Sequence, residues 1–335
     1  MIPDEKHDAV IKGLREAFGA SGWEDAQRMV KGLSADLVFR IVVAGSPYLL
    51  RLMAGRTDPN WLFEVMEAAA KAGLGPAVRY RCVEDGIAIT DFVEAGPFGL
   101  EEARRLMPGV LRRLHAMPRF GREFPFAKLQ DGFIARFRGA KLAPEDEVVD
   151  VFRMYAAVCA TYPRVDEDMV SAHNDLKPEN VLFDGARVWL VDWEAAFAND
   201  RYFELAMVTN FLAGSESEER VFLEAYWERP VSAYELARLY LMRQVVHLMY
   251  ASVFLLLGSA EKAVDWGEPA PSFQPFHERM WRGEIELSGS QAKVNYGRVH
   301  WRRLVENARG KDWAMALGAV CERHADGARL LPIVE

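Results

Sequence analysis

The sequence predicts an α+β protein of two domains, a small sheet-containing one followed by a larger helical one. Three observations lead there. The chain has 335 residues, beyond the size of roughly 250–300 residues at which a single hydrophobic core stops growing. The stretch before Gly96 changes its apolar period several times, with β-rich runs bounded by turn residues. From "GPFGLEEARRLM" onward the period is almost wholly helical.

An acidic amphipathic helix opens the chain. The runs "LVFRIVV" and "YLLRLM" follow, joined by Ala44, Gly45, Ser46 and Pro47, which is a hairpin signal. "WLFEVMEAAAKAG", rich in Ala and Glu, predicts a helix closed by Gly73 and then Pro76. "AVRYRCVEDGIAITDFV" predicts a second hairpin turning at Glu84, Asp85 and Gly86, so the order is strand, strand, helix, strand, strand. The Gly96, Pro97 and Gly99 cluster marks the boundary, giving domains 1–95 and 96–335. Within the second domain only "VLFDG" and "RVWLVDW" read as strands, and neither an internal repeat nor a low-complexity tract is visible.

Apolar residues make up 50% and charged residues 27% of the chain, the balance of a globular protein. A formal net charge of -8 argues against a nucleic-acid surface, which needs clustered Lys and Arg, and would attract a cationic small molecule instead. Cys82, Cys159 and Cys321 are few, odd in number and without CxxC spacing, which fits a reducing compartment. The opening "MIPDEKHDAV" lacks the pattern of a secretory signal. The longest apolar stretch, Val245 to Gly258, is shorter than the ~20 residues of a bilayer span and carries His247. A buried helix, no membrane span and a cytoplasmic protein are the expectation.

The chemistry concentrates in "SAHNDLKPEN" and "VWLVDWEAAFAND". Two short strands around Asp184 and Gly185 can pair as a hairpin whose ends bring Asn180 and Asp192 together. An amide oxygen and a carboxylate converging there suit Mg²⁺, which takes few protein ligands and keeps waters and phosphate oxygens for the rest. Asp175, a short reach away, can accept a proton from an attacking hydroxyl. Singly, His173 or Asp175 would cap a helix and Asp192 would end a strand. The ordered set H-x-D-x-x-x-x-N, strand, D is the arrangement of kinase-type phosphoryl transfer.

"HNDLKPENVLF" and "LVDWEAAFANDRYFELA" resemble the choline/ethanolamine kinases and the wider aminoglycoside phosphotransferase superfamily, whose fold is the two-lobed protein-kinase-like one. The resemblance implies ATP as donor, Asp175 as catalytic base, and Asn180 and Asp192 as Mg²⁺ ligands. "KGLSADLVFRI" looks like its nucleotide-binding turn, with Gly32 and Ser34 near the phosphates and Ala35 where Asn is common. Arg51 stands at the strand position of the kinase Lys that grips the α/β-phosphates, with fork geometry in place of a point charge. Glu64 or Glu67, three residues apart on a helix, could hold it, and Glu64 is favoured. Asp91 and Val93 in "ITDFVEAGPF" would offer backbone groups to the adenine edge, and Lys177 would approach the transferred phosphate. Neither D-F-G nor A-P-E is present, which disfavours a protein substrate. Glu204 stands where the superfamily usually has the Asp that braces the catalytic loop through backbone N–H groups.

A cationic amine would be recognised by carboxylates and aromatic faces. Glu194, Asp200, Tyr250, Phe254, Asp265 and Trp266 are the candidates, Tyr250 and Phe254 being i, i+4 neighbours on one helix. Choline kinases usually place a pair of Trp on the equivalent helix, whereas this chain has Tyr and Phe. The expected function is ATP-dependent phosphorylation of a small, amine-bearing hydroxyl compound of the choline/ethanolamine type. An aminoglycoside kinase is one alternative, and a catalytically weak nucleotide-binding scaffold is an alternative of another class.

Overall fold

The computed structural model describes residues 1–29, 36–55, 58–123, 126–322 and 329–330. Gly32, Ser34 and Ala35, the expected phosphate turn, lie outside the described residues. The chain packs as two compact units. One comprises Met1–Phe98 with Glu179–Ala196, the other Gly99–Pro178 with Phe197–Glu335. The hairpin with Asn180 and Asp192, which the sequence reading assigned to the second domain, clusters with the first.

The first unit holds helix α1 (His7–Phe18) and a five-stranded antiparallel sheet: β1 (Asp25–Met29), β2 (Leu37–Val43), β3 (Ser46–Leu52), β4 (Val78–Cys82) and β5 (Ile87–Asp91), in the order β1-β2-β3-β5-β4. Both expected hairpins form. The β2–β3 turn puts Ala44 and Gly45 at φ 49° and 74°, the left-handed pair that a two-residue hairpin needs. β1 was not foreseen, because it is a half-exposed edge strand, "DAQRM", pairing only with β2, and such a strand carries no apolar alternation. Phe39, Ile41, Leu50, Leu52, Ile87 and Ile89 pack with Val10 and Leu14 of α1 to form the core. Helix α2 (Pro59–Lys71) starts where Asp58 accepts from the N–H groups of Asn60 and Trp61, with Pro59 at its first position.

In the second unit, helices α3 (Leu100–His115), α4 (Phe126–Gly139) and α5 (Glu145–Thr161) lead to the short strand β6 (Pro163–Arg164) and to β7 (Met169–Ala172). The hairpin β8 (Val181–Phe183) and β9 (Val188–Leu190) of the first unit intervenes, and β10 (Phe197–Asp200) then returns to pair antiparallel with β7. Helices α6 (Arg201–Leu212), α7 (Glu216–Trp227), α8 (Ala233–Ser259), α9 (Phe273–Trp281), α10 (Ser290–Arg309) and α11 (Asp312–Cys321) complete the unit, with β11 (Arg329–Leu330) against β6.

α8 starts with a capping box, Ser232 and Glu235 each bonding the other's backbone. By length and composition α8 could cross a membrane, yet most of its apolar stretch is buried within the unit, where it packs against α4, α6, α10 and α11. α8 and α10 approach through glycines. A Cβ on Gly258 would lie 2.8 Å from the backbone N of Val294, and one on Gly297 would lie 2.8 Å from that of Leu255. No side chain fits at either position without moving a helix.

Candidate active site

In the first unit the β8–β9 hairpin closes at Gly185 (φ 91°), with Asp184 accepting from the N–H groups of Ala186 and Arg187. Val191 N donates to the Asn180 carbonyl at 3.0 Å, so the chain segments carrying Asn180 and Asp192 run side by side at the open end of the hairpin. Asn180 is buried. Asp192 adopts φ 67°, ψ 64°, a left-handed conformation uncommon for a residue with a Cβ. This turn directs its carboxylate to β3, where Arg51 NH2 donates to Asp192 Oδ1 at 3.0 Å.

Arg51 is buried among three carboxylates, since NH1 also donates to Glu194 Oε1 at 2.5 Å and to Asp36 Oδ2 at 3.2 Å. Burial alone lowers the guanidinium pKa, but the Asp192, Glu194 and Asp36 charges outweigh it and hold the group above its ordinary value. Three carboxylates and one guanidinium leave a net charge deficit that suits a divalent cation. The donors on offer are hard oxygens, and Asn180 and Asp192 fit Mg²⁺ by type. Among the described residues no group of three or more His, Cys, Asp or Glu is placed to hold a metal.

The expected partner of Arg51 is corrected. Glu64 is exposed and accepts from Asn60 Nδ2 at 2.8 Å, while Glu67 takes Arg81 Nε at 2.6 Å. Asp36 and the residues after β9 reach the guanidinium instead. Asp91 and Val93 line a cleft of about 570 Å³ with Tyr48, Phe92, Glu94 and Trp189. The Asp91 side chain is clamped by Arg79 through two hydrogen bonds of 2.6 and 2.9 Å, so only its backbone is left to a ligand.

In the second unit β7 delivers His173, Asn174 and Asp175. Asn174 has φ 62°, which turns the chain after the strand. Its amide accepts from Asn199 Nδ2 at 2.7 Å, tying the loop to β10. Glu204 Oε1 accepts from the backbone N–H groups of His173 and Asn174 at 2.7 and 2.8 Å, so the glutamate braces the loop despite its extra methylene. Glu204 Oε2 is bound to His115 Nε2 at 2.8 Å, and His115 Nδ1 to the Tyr226 hydroxyl at 2.7 Å. Lys177 Nζ lies 3.0 Å from Asp175 Oδ2, placing the expected phosphate-binding cation on the expected base.

The substrate candidates separate. Tyr250 and Phe254 join Tyr296, Phe276 and His300 in one aromatic cluster, with ring centroids 4.7 to 6.0 Å apart. Burial raises the Tyr250 hydroxyl pKa well above its ordinary value, and Tyr296, Asp175 and Glu204 add to the rise.

The other four each engage protein groups of their own. Glu194 belongs to the first unit and binds Arg51. Asp200 is fully enclosed, caps α6 through Tyr202 N, and meets Tyr162 and Arg238 at 3.2 and 3.3 Å. Burial pushes Asp200 up to about 6 against the pull of Arg238. Trp266 donates to the Leu142 carbonyl and has Arg302 and Arg298 over its ring at 5.3 and 5.8 Å, so resident cations already face it. Asp265 accepts from Gly267 N in an exposed turn.

Sequence reasoning missed Asp36, the His115–Tyr226 pair and Tyr296. Only Tyr296 and His300, i, i+4 on α10, left a readable signal.

A sheet domain carrying the carboxamide and carboxylate, and a helical domain carrying the braced H-x-D loop, define a protein-kinase-like phosphotransferase. The chain belongs to the phosphotransferase enzyme family, which its residues 25–240 match. It is 32% identical over 73 residues to Protein LicA of Haemophilus influenzae, covering 21% of this chain and 22% of LicA. It is 39% identical over 54 residues to a LicA homolog of Mycoplasma capricolum, covering 16% and 23%. The matched segments thus span less than a quarter of these relatives.

Among solved structures, the choline/ethanolamine kinase family protein from Mesorhizobium loti superposes with a TM-score of 0.67 at 19% identity, over 94% of this chain and 99% of that one. Choline kinase LicA from Streptococcus pneumoniae gives 0.60 at 15%, over 91% and 99%. Spectinomycin phosphotransferase, solved with ADP and spectinomycin, gives 0.55 at 13%, over 87% and 98%. At these identities the likeness is one of fold.

Proposed function

We propose that this protein transfers the γ-phosphate of ATP to the hydroxyl of a small, amine-bearing molecule. The observation that carries the reading lies inside the second unit. Asp175, on a loop whose main chain is pinned by Glu204, has Lys177 Nζ 3.0 Å from its carboxylate, and Tyr250 and Phe254 stand in an aromatic cluster of the same unit. A base and a ring surface in one unit suit an alcohol that also carries an ammonium group, since a cation over an aromatic face gains about 0.5–2 kcal/mol.

Asp175 accepts the hydroxyl proton as the oxygen attacks phosphorus, and Lys177 beside it offers positive charge to the transferred group. Asn180 and Asp192 would hold Mg²⁺, which when bound neutralises phosphate charge. Arg51 orients Asp192 and has fork geometry for phosphate oxygens. Asp91 and Val93 supply backbone to the adenine from the wall of the cleft they line. The three free cysteines accord with a cytoplasmic setting.

Two measurements test the reading. Saturating ATP with Mg²⁺ should raise the melting temperature, a ligand at about 100 times its dissociation constant adding ~2.7 kcal/mol. No shift would remove the kinase and scaffold readings together. An ATP-consumption screen over choline, ethanolamine, aminoglycosides, amino sugars and neutral alcohols should then show turnover with the small amino alcohols. Turnover confined to neutral compounds would overturn the amine assignment.

A further inference from the structure

We propose that Tyr226 is a positioning residue that fixes the tautomer of His115 and through it the geometry of the catalytic loop; the proposal rests on the phosphotransfer reading for its kinetic consequence alone. The argument is one of hydrogen-bond direction. Arg201 NH1 lies 3.2 Å from the Tyr226 hydroxyl, and a guanidinium has donors only, so the phenolic oxygen accepts there. The other neighbour of that hydroxyl is His115 Nδ1 at 2.7 Å. Tyr226 is 2% exposed, so a hydroxyl proton pointing elsewhere would be a buried donor without a partner.

The proton therefore goes to Nδ1, which must be bare, and the ring proton of His115 sits on Nε2, 2.8 Å from Glu204 Oε2. Glu204 receives this N–H on one oxygen and leaves the other to the N–H groups of His173 and Asn174. The chain of donors runs in one direction from Arg201 to Glu204, where the N–H groups of the loop that carries Asp175 donate from the other side. Arg201 is itself fixed, since NH2 donates to the Glu167 carbonyl at 2.6 Å and Nε lies 3.1 Å from Asp168 Oδ1. With the opposite tautomer Nε2 would be an acceptor facing a carboxylate, and the brace on the loop would lose one of its three donors.

The test uses the full-length protein labelled with ¹⁵N-histidine, wild type and Tyr226→Phe, with the His115 signals assigned from a His115→Asn variant. Long-range ¹H–¹⁵N spectra should show a wild-type His115 protonated at Nε2 and hydrogen-bonded at a bare Nδ1. In Tyr226→Phe the Nδ1 resonance should move to that of a nitrogen without a hydrogen bond. With an acceptor from the screen, its kcat should fall about fivefold to tenfold, the worth of one buried hydrogen bond, at unchanged KM for ATP. A wild-type ring protonated at Nδ1, or a Tyr226→Phe variant with the same Nδ1 resonance and the same kcat, would overturn the proposal. If the variant does not fold, the wild-type spectrum decides. That spectrum needs no acceptor, so a failure of the phosphotransfer reading is seen separately.

Discussion

Lys177 Nζ sits 3.0 Å from Asp175 Oδ2, an ammonium on the carboxylate proposed to receive the substrate proton. The pair keeps Asp175 oriented without covering it, since its side chain stays one-third exposed. Asp175→Asn keeps the shape and removes the base. Its kcat should drop by ~10²–10⁴ while nucleotide affinity holds, the usual worth of general-base assistance. Steady-state kinetics beside calorimetric ATP titration checks this, and parallel loss of both quantities would refute the assigned role.

Asp192 differs, because it binds Arg51 and is proposed to hold the metal as well. Asp192→Asn should abolish the Mg²⁺-dependent part of the ATP-induced melting shift and leave the metal-free part. Arg51→Lys should keep charge yet lose the fork that reaches Asp192 and Glu194 together, and it should weaken ATP binding with or without Mg²⁺. Melting curves with ATP, with and without the ion, separate the two.

Glu204→Ala would strip the buried N–H groups of His173 and Asn174 of their acceptor. At ~1–3 kcal/mol for each unsatisfied group, unfolding stability should fall by several kcal/mol, read from urea denaturation. Glu204→Asp, the residue the resembling superfamily uses there, should retain most of it. A loss as large as that of alanine would show that the longer side chain is required here.

Acid should destabilise the protein. Burial lowers His277 to about 3 from 6.5, and holds His247 and His300 well below their ordinary value, with Arg243 and Arg303 adding to the effect. As pH falls below 6.5, the unfolded chain takes up protons that these native rings refuse, so stability drops until the native rings titrate. Asp200, raised from 3.8 to about 6, works the other way in that window, as the native state keeps a proton that the unfolded chain has released. Three histidines outweigh one carboxyl. Urea midpoints at about pH 7.5 and about pH 5 should differ in favour of the higher pH, and His300→Gln should narrow the gap.

Much of this was legible in the chain because it is written locally. Two hairpins announce themselves by turn residues, α2 by its Ala- and Glu-rich run closed by Gly73 and Pro76, and the chemistry by the spacing of Asp175, Asn180 and Asp192. What escaped depends on pairs far apart in sequence. Arg51 finds Asp36, Asp192 and Glu194 where helix spacing pointed to Glu64, because the turn after β9 aims two carboxylates at β3. Asp200 and Trp266 looked available since neither Arg238 nor Arg302 is near them in the sequence. The aromatic cluster needed α10, whose Tyr296 completes what Tyr250 and Phe254 begin.

The close approach of α8 and α10 at Gly258 and Gly297 makes the distance between their rings a property of the main chain. Tyr250 and Phe254 precede one glycine on α8, and Tyr296 adjoins the other on α10. Backbone resting on backbone does not compress, so the interval between the two rows of rings works as a fixed gauge. A methyl group at Gly297 would push α8 and α10 apart while leaving every ring in its place along the chain.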